Sequence, residues 1–240
     1  MKILLLGYGK MGKAIEQIAL QRKHTVPFKI DISNRGELQM VNNSNVDVAI
    51  EFSQPESAYE NIKFCFERKI PVVCGTTGWL EKKKEIERIC LDKGGAFFYA
   101  SNYSVGVNLF FHLNKILAGI MKNYPQYTVS MEEIHHTEKK DAPSGTAITL
   151  AEGIMEKVPS KKLWVNKESK KEEELSILSK RIEKVPGTHT IFWNSEVDTI
   201  EIRHTAHSRQ GFAEGAVIAA EWLKDKKGVF GMDDMLKITY

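Results

Sequence analysis

Apolar positions along this chain come in short unbroken runs that alternate with helical stripes. Lys2–Leu6 is a continuous apolar run closed by Gly7, the pattern of a strand buried on both faces. Met11, Ala14, Ile15, Ile18 and Ala19 then recur at helical spacing and predict a helix over residues 11–21. Strands are predicted at Thr25–Ile30 and residues 46–52, and Pro55 stands where the first turn of a helix accepts it. Residues 56–67 read as that helix, 71–74 as a strand, 80–93 as a charged amphipathic helix and Ala96–Tyr99 as a fifth strand. Such alternation implies βαβ units and a parallel sheet covered by helices on both sides.

After Ser101 the pattern changes. Residues 107–123 form one long helical stripe, with Val107, Leu109, Phe110, Leu113, Ile116, Leu117 and Ile120 on a broad apolar face. Thr128–His135 reads as a strand and residues 144–157 as a helix capped by Ser144. Strand-like runs at 175–182, 188–193 and 199–204 follow one another without helices between them, so their sheet should be antiparallel or mixed. A last helix follows Phe212 through Ala216, Ile218, Ala219 and Leu223. Residues 160–174, rich in lysine and glutamate, read as a solvated loop. The expected fold class is therefore α/β: a Rossmann-like parallel-sheet dinucleotide-binding domain, joined to an α+β domain with a mixed sheet.

Composition narrows the classes. The 240 residues carry 34 Lys and Arg against 31 Asp and Glu, a balance of +3 that supplies no bulk field for nucleic acid. With 42% hydrophobic residues there is enough to build a core, yet no apolar run approaches a membrane span. Neither a nucleic-acid nor a membrane partner is expected. The opening run Ile3–Leu6 is too short for a signal-peptide core. Cys65, Cys74 and Cys90 form no C-x-x-C pair and suit a reducing cytoplasm, as buried apolar fillers.

Three segments hold candidate chemistry. Gly7-Tyr8-Gly9-Lys10-Met11-Gly12 joins the first strand to the first helix with Gly-x-Gly-x-x-Gly spacing. Glycines there allow a tight turn and let a pyrophosphate approach the helix N-terminus. Asp31 ends the second strand about twenty residues later, where a carboxylate binds an adenosine ribose. The plainer reading is a helix start beside an ordinary exposed Asp. Cys74-Gly75-Thr76-Thr77-Gly78 and Ala100-Ser101-Asn102-Tyr103-Ser104 follow later strands, at the sheet edge where α/β ligands bind. Either a nicotinamide–ribose site or a plain turn fits the first of them.

The densest segment runs from Glu133 to Ala147 and contains His135, His136, Lys139, Asp141, Ser144, Gly145 and Thr146. Adjacent histidines on a strand face opposite ways, and no H-E-x-x-H or cysteine partner accompanies them, so no metal is expected. Ser144 is a natural N-cap, and Gly145-Thr146 would present free N–H groups to a carboxylate. Lys139 adds a mobile cation and proton donor. A dinucleotide fold with an anion seat, a histidine and a lysine suggests reduction of a carboxylated substrate. A redox sensor that binds NADH without turnover and an aspartate-type dehydrogenase remain alternatives.

These segments, with 101–108, Pro186-Gly187-Thr188-His189-Thr190, Ser208-Arg209-x-x-Phe212-Ala213-x-Gly215-Ala216 and 230–236, resemble the dihydrodipicolinate reductases along the whole chain. The resemblance implies reduction of 4-hydroxy-tetrahydrodipicolinate, a cyclic dicarboxylic imine, to tetrahydrodipicolinate with NADH or NADPH in lysine and diaminopimelate biosynthesis. It implies a cofactor domain of residues 1–103 and 212–240 and a substrate and oligomerisation domain of 104–211. Hinges are expected near Tyr103–Ser104 and at 209–211. His135 would be the acid/base histidine and Lys139 the proton donor. His136, Gly145 and Thr146 would hold the substrate carboxylates. Gly7, Tyr8, Gly9, Lys10, Met11, Gly12, Asp31, Gly75, Thr76, Thr77, Ala100, Ser101, Asn102 and Tyr103 would hold the cofactor. A homotetramer built through the substrate-domain sheets is implied, and Asp31 favours NADH at least as much as NADPH.

Overall fold

A computed structural model describes residues 1–208 and 210–238; position 209, in the second expected hinge, lies outside them. The chain divides after Val105 and again before Gln210 into two compact units, the first made of both ends of the chain. Its leading part holds β1 (Lys2–Leu6), α1 (Lys10–Gln21), β2 (Thr25–Ile30), β3 (Val48–Glu51), α2 (Pro55–Glu67), β4 (Val72–Cys74), α3 (Lys83–Asp92) and β5 (Ala96–Tyr99). Next come α4 (Val105–Met121), β6 (Thr128–His135), α5 (Gly145–Lys157), β7 (Leu163–Val165), β8 (Glu174–Arg181), β9 (Gly187–Asn194) and β10 (Thr199–Ala206). The chain then forms α6 (Gln210–Leu223), β11 (Gly228–Phe230) and α7 (Met232–Leu236).

In the first unit the strand order is β11-β5-β4-β3-β1-β2, and every pairing is parallel. The unbroken apolar run of β1 has the reason the sequence suggested. Ile3 and Leu5 enter a core with Ile15, Ala19 and the alanines of α6, whereas Leu4 and Leu6 enter another with Ile62, Phe66 and Ile86. Each such fully buried side chain contributes about 1.5–3 kcal/mol. β3 and β2 flank β1 on opposite sides, so strand order reverses at β1/β3 and a crevice opens beyond their carboxyl ends.

The second unit carries a mixed sheet of order β10-β9-β6-β8-β7, antiparallel between β10, β9 and β6 and parallel between β6, β8 and β7. Phe110, Ala118 and Met121 of α4 and Ala147, Leu150, Ala151 and Ile154 of α5 pack on Met131, Ile177, Ile191 and Trp193. Among the described residues, no helix is long and apolar enough to cross a membrane.

Three details differ from the sequence-based expectation. Residues 160–174 are not wholly loop: β7 pairs with β8, and Lys161 Nζ donates to the carbonyls of Glu172 and Glu174, so this lysine organises the segment. Leu80–Lys82 is a separate 3-10 turn before α3. β11 and α7 complete the first unit after Leu223, where no element was expected.

Tyr103 fixes the edge of the first core. Its ring is buried and its hydroxyl donates to the Cys74 carbonyl at 2.7 Å. Gly215 of α6 lies so close that a Cβ would stand 1.7 Å from the Tyr103 carbonyl oxygen. Gly215→Ala should therefore cost about 1–3 kcal/mol or more, lowering the melting temperature by several degrees. Gly119→Ala, in a helix with no atom within 4 Å of the new Cβ, should instead stabilise by about 0.5–1 kcal/mol. Thermal melts of the two variants check the contrast, and equal shifts would refute it.

Candidate functional site

Every segment expected to hold a dinucleotide emerges at the carboxyl edge of the first unit's sheet. Gly7 follows β1 with φ +94°, and a side chain there would strike the Phe52 carbonyl at 2.1 Å. A Cβ at Gly12 would come 2.2 Å from the Gly7 carbonyl, so this glycine lets α1 start against the turn. Gly9, the N-cap of α1, meets nothing within 4 Å, and no side chain caps the helix. The first N–H groups of α1 therefore face open space beside a backbone cradle, which is what a pyrophosphate requires. Lys10 is exposed, and the Tyr8 hydroxyl donates to Glu16 under the ammonium of Lys29.

Asp31 follows β2 and is exposed; one of its oxygens accepts from Ser33 N and Oγ at 2.9 and 3.1 Å. Those hydrogen bonds lower its pKa and keep it ionised. Beyond β4, a Cβ at Gly75 would enter the Phe52 ring. The Thr76 carbonyl accepts from the Trp79 indole at 2.7 Å, while the Thr76 hydroxyl is buried with no partner. Thr77 and Ser101 are exposed, Ala100 is buried, and the Asn102 side chain accepts from Ser104 N at 2.9 Å. The buried Tyr103 side chain points into the core, so it shapes this edge from beneath. An open helix start, a glycine cradle and an orphaned hydroxyl fit a bound dinucleotide.

Beneath the Thr76 loop lies a carboxylate that sequence reasoning passed over. Glu51, fully buried at the end of β3, accepts from Ser53 N and Oγ, from Asn61 Nδ2 at 3.3 Å and from the Cys74 thiol at 3.3 Å. It joins the β3–α2 turn to the end of β4. Burial pushes the Cys74 thiol well up, and Cys65 and Cys90 likewise, so all three cysteines are unreactive fillers.

The second unit gathers the other predicted residues around the end of β6. His135 faces inward and is 7% exposed, while its neighbour His136 is half-buried. Ser144 caps α5 by accepting from Ala147 N at 3.2 Å, so Gly145 and Thr146 lead the helix with N–H groups that lack intrahelical acceptors. A Cβ at Gly145 would meet nothing within 4 Å, which leaves room for a ligand. Lys139 Nζ sits 2.8 Å from Asp141 Oδ1 on the surface.

Three residues given no role from the sequence complete the cluster. Glu133 is fully buried; Ser144 N donates to both its oxygens at 3.1 Å, and Arg181 Nη2 lies 3.5 Å from Oε1. Glu133 Oε2 stands 3.4 Å from His135 Nδ1 and 3.7 Å from His189 Nε2. Arg181 also donates to the Asp141 carbonyl at 2.6 Å, holding the loop that carries Lys139. Gly187 belongs here too, because a Cβ on it would press to 3.1 Å from His135 Nε2. Their signal was strand alternation: Glu133 and His135, or Gly187 and His189, are two apart and share a face.

Burial pushes Glu133 up, but the hydrogen bonds from Ser144 outweigh it, leaving the pKa lowered. Burial lowers His135, only partly offset by Glu133, and pushes His189 down to about 4. The cluster is thus an ionised carboxylate between two neutral imidazoles. Glu133, His135 and His189 bring ligating atoms within 4.8 Å, the geometry of a cation site. Two groups argue for a hydrogen-bonded network instead: Ser144 N already engages both oxygens, and Arg181 supplies the positive charge.

Comparisons with known proteins identify the family and the fold. Family models described as dihydrodipicolinate reductase, N-terminus, and dihydrodipicolinate reductase, C-terminus, match residues 1–103 and 106–236. A 4-hydroxy-tetrahydrodipicolinate reductase of Christiangramia forsetii is 53% identical over 238 residues, 98% of either chain. Its namesake from Methanosarcina acetivorans is 36% identical over 95% of this chain and 86% of its own. In fold, the chain matches the dipicolinate-bound dihydrodipicolinate reductase of Paenisporosarcina sp. TG-14 with a TM-score of 0.78, at 22% identity over 98% of this chain and 99% of that one. Matched by both family models and by a relative at 53% identity along nearly its full length, the chain belongs to the dihydrodipicolinate reductase family of pyridine-nucleotide-dependent oxidoreductases.

Proposed function

We propose that this chain reduces 4-hydroxy-tetrahydrodipicolinate to tetrahydrodipicolinate with loss of water, using the cluster at the end of β6. The observation that carries this reading is the convergence of an open helix start at Gly145-Thr146 with His135, His136 and Lys139 in one unit. The N–H groups of Gly145 and Thr146, aided by the positive end of α5 and by His136, bind the carboxylates of the dicarboxylic imine. Lys139 is held by Asp141 through an exposed pair of the kind worth about 0–1 kcal/mol. A dianionic substrate displaces that partner at little cost. Reduced nicotinamide, when bound, supplies a hydride. The carbon or nitrogen left electron-rich takes its proton from Lys139, with His135 as the acid/base beside it.

The dinucleotide lies along the Gly7–Gly12 cradle and Asp31, with Gly75, Thr76, Thr77 and 100–102 lining its reactive end and Tyr103 bracing them from beneath. Asp31 faces the adenosine ribose, where it accepts from both hydroxyls and repels a 2′-phosphate. Because Asp31 is solvent-exposed, water screens that repulsion, and Arg35 begins the next turn only four positions on. A modest NADH preference follows. The chain works as a homotetramer through the second sheet, and α4 supplies a further apolar surface: Leu109, Leu113, Ile116 and Ile120 are 49, 48, 48 and 53% exposed.

Freshly prepared substrate should drive oxidation of reduced nicotinamide, read as falling absorbance; no rate above the substrate-free control would refute the assignment. Lys139→Ala should fold normally and lose about 10²–10⁴-fold in kcat, and unchanged turnover would remove this lysine from the mechanism. Measured kcat/KM should be at least as high for NADH as for NADPH, and a tenfold advantage for NADPH would show that Arg35 or Lys10 governs the pocket. Light scattering should report about four times the chain mass of 27.2 kDa; a monomer would exclude the tetramer.

A further inference from the structure

We propose that Glu133 is the positioning residue of this site: its carboxylate holds the His135 ring with Nδ1 protonated and turned inward, keeps Nε2 free to exchange the proton, and anchors the start of α5. The inference rests on the function proposed above and goes beyond it, because no substrate contact is assigned to Glu133.

Three elements meet at this one carboxylate. His135 Nδ1 is sealed from solvent and has no hydrogen-bond partner, yet Oε2 stands 3.4 Å away, a few tenths of an ångström beyond bonding reach. A small tilt of the ring closes that gap. The same carboxylate receives Ser144 N at 3.1 Å on both oxygens, so the residue that caps α5 is tied to the strand bearing His135. Arg181 on β8 joins the carboxylate to the loop of Lys139 through the Asp141 carbonyl. The ring is confined on one side by His189, which packs edge-on at a centroid distance of 5.1 Å. A buried imidazole takes the tautomer its partner demands, and the partner here is an acceptor.

The charges around His135 fix the direction of the effect. Lys139 and Asp141 lie in the following loop, Arg181 on β8, and His189 on β9 with His204 behind it on β10; the Ser144 hydroxyl lies against His189. Lys139 and Arg181 disfavour imidazolium, whereas Glu133 and Asp141 favour it. Removing the Glu133 charge therefore moves the His135 titration to lower pH.

Two measurements test the assignment. In the wild-type protein labelled with 15N-histidine, two-bond 15N–1H spectra, with the His135 signals assigned from His135→Gln, should show neutral His135 protonated on Nδ1. A neutral ring protonated on Nε2 would overturn the proposal, and this reading needs neither turnover nor a folded Glu133 variant. In Glu133→Gln, which keeps shape and removes charge, kcat should fall about tenfold or more with KM changed less than about threefold. The His135 inflection in the pH profile should move to lower pH. A folded Glu133→Gln enzyme with unaltered kcat and pH profile would show a merely structural carboxylate. Wild-type turnover is the control: its absence would refute the proposed function, while the tautomer would still decide the role of Glu133.

Discussion

A carboxylate sealed inside a protein stays ionised only if its lone pairs are met by donors, and Glu133 satisfies that demand by drawing distant parts of the second unit together. Ser144 N at the head of α5 donates to both its oxygens, the Arg181 guanidinium of β8 lies 3.5 Å away, and imidazoles of β6 and β9 stand 3.4 and 3.7 Å off. None of these groups is near another in sequence except through the strand itself. Much of the local geometry follows from this requirement. The cap residue stands where the helix start opens outward, and the loop of Lys139 is tethered from below.

The first unit solves a different problem. A parallel sheet buried on both faces leaves only its edges and strand ends for function. At the carboxyl ends the turns must be tight enough to bring α1 back against β1, and Gly7 and Gly12 are glycines because carbonyls occupy the space their side chains would need. The open ground before α1 and the unpartnered Thr76 hydroxyl are what remains after that packing is complete. Glu51 plays beneath this edge the part Glu133 plays in the other unit: a fully buried carboxylate satisfied by a turn, a helix and a neighbouring strand.

How far the sequence revealed all this depended on the range of the interaction. Strands such as β1 and β3, and helices such as α1 and α2, were legible because burial imposes a local period or run. β7 and β11, three residues each and nowhere fully buried, show no such run, whereas the equally short but fully buried β4 did; they exist because neighbouring strands offer free edges. The string from His135 to Thr146 was legible as chemistry because its residues are consecutive. The partners Arg181 and His189 were not, because they meet it through register: His135 pairs with Arg181 across β6/β8, and Glu133 with His189 across β6/β9. Tyr103 shows the converse. Its polar ring in a loop looked like a ligand contact, yet the core claims it and its hydroxyl serves Cys74.

The electrostatic character of the second unit's site follows from the same arrangement. Burial holds His135 and His189 neutral, so the imidazoles bring no charge of their own. Glu133 and Arg181 offset one another inside, and Asp141 offsets Lys139 outside, where water makes the pair weak. On the function proposed above, a dianion arriving at the α5 start would meet one cation that is easily released and helix N–H groups that need no rearrangement. The buried carboxylate is tied on both oxygens to the Ser144 N–H, and the exposed pair lies at Lys139. On the proposed function, that division is what would let the site take a highly charged small molecule while its own acid/base groups stay near neutrality.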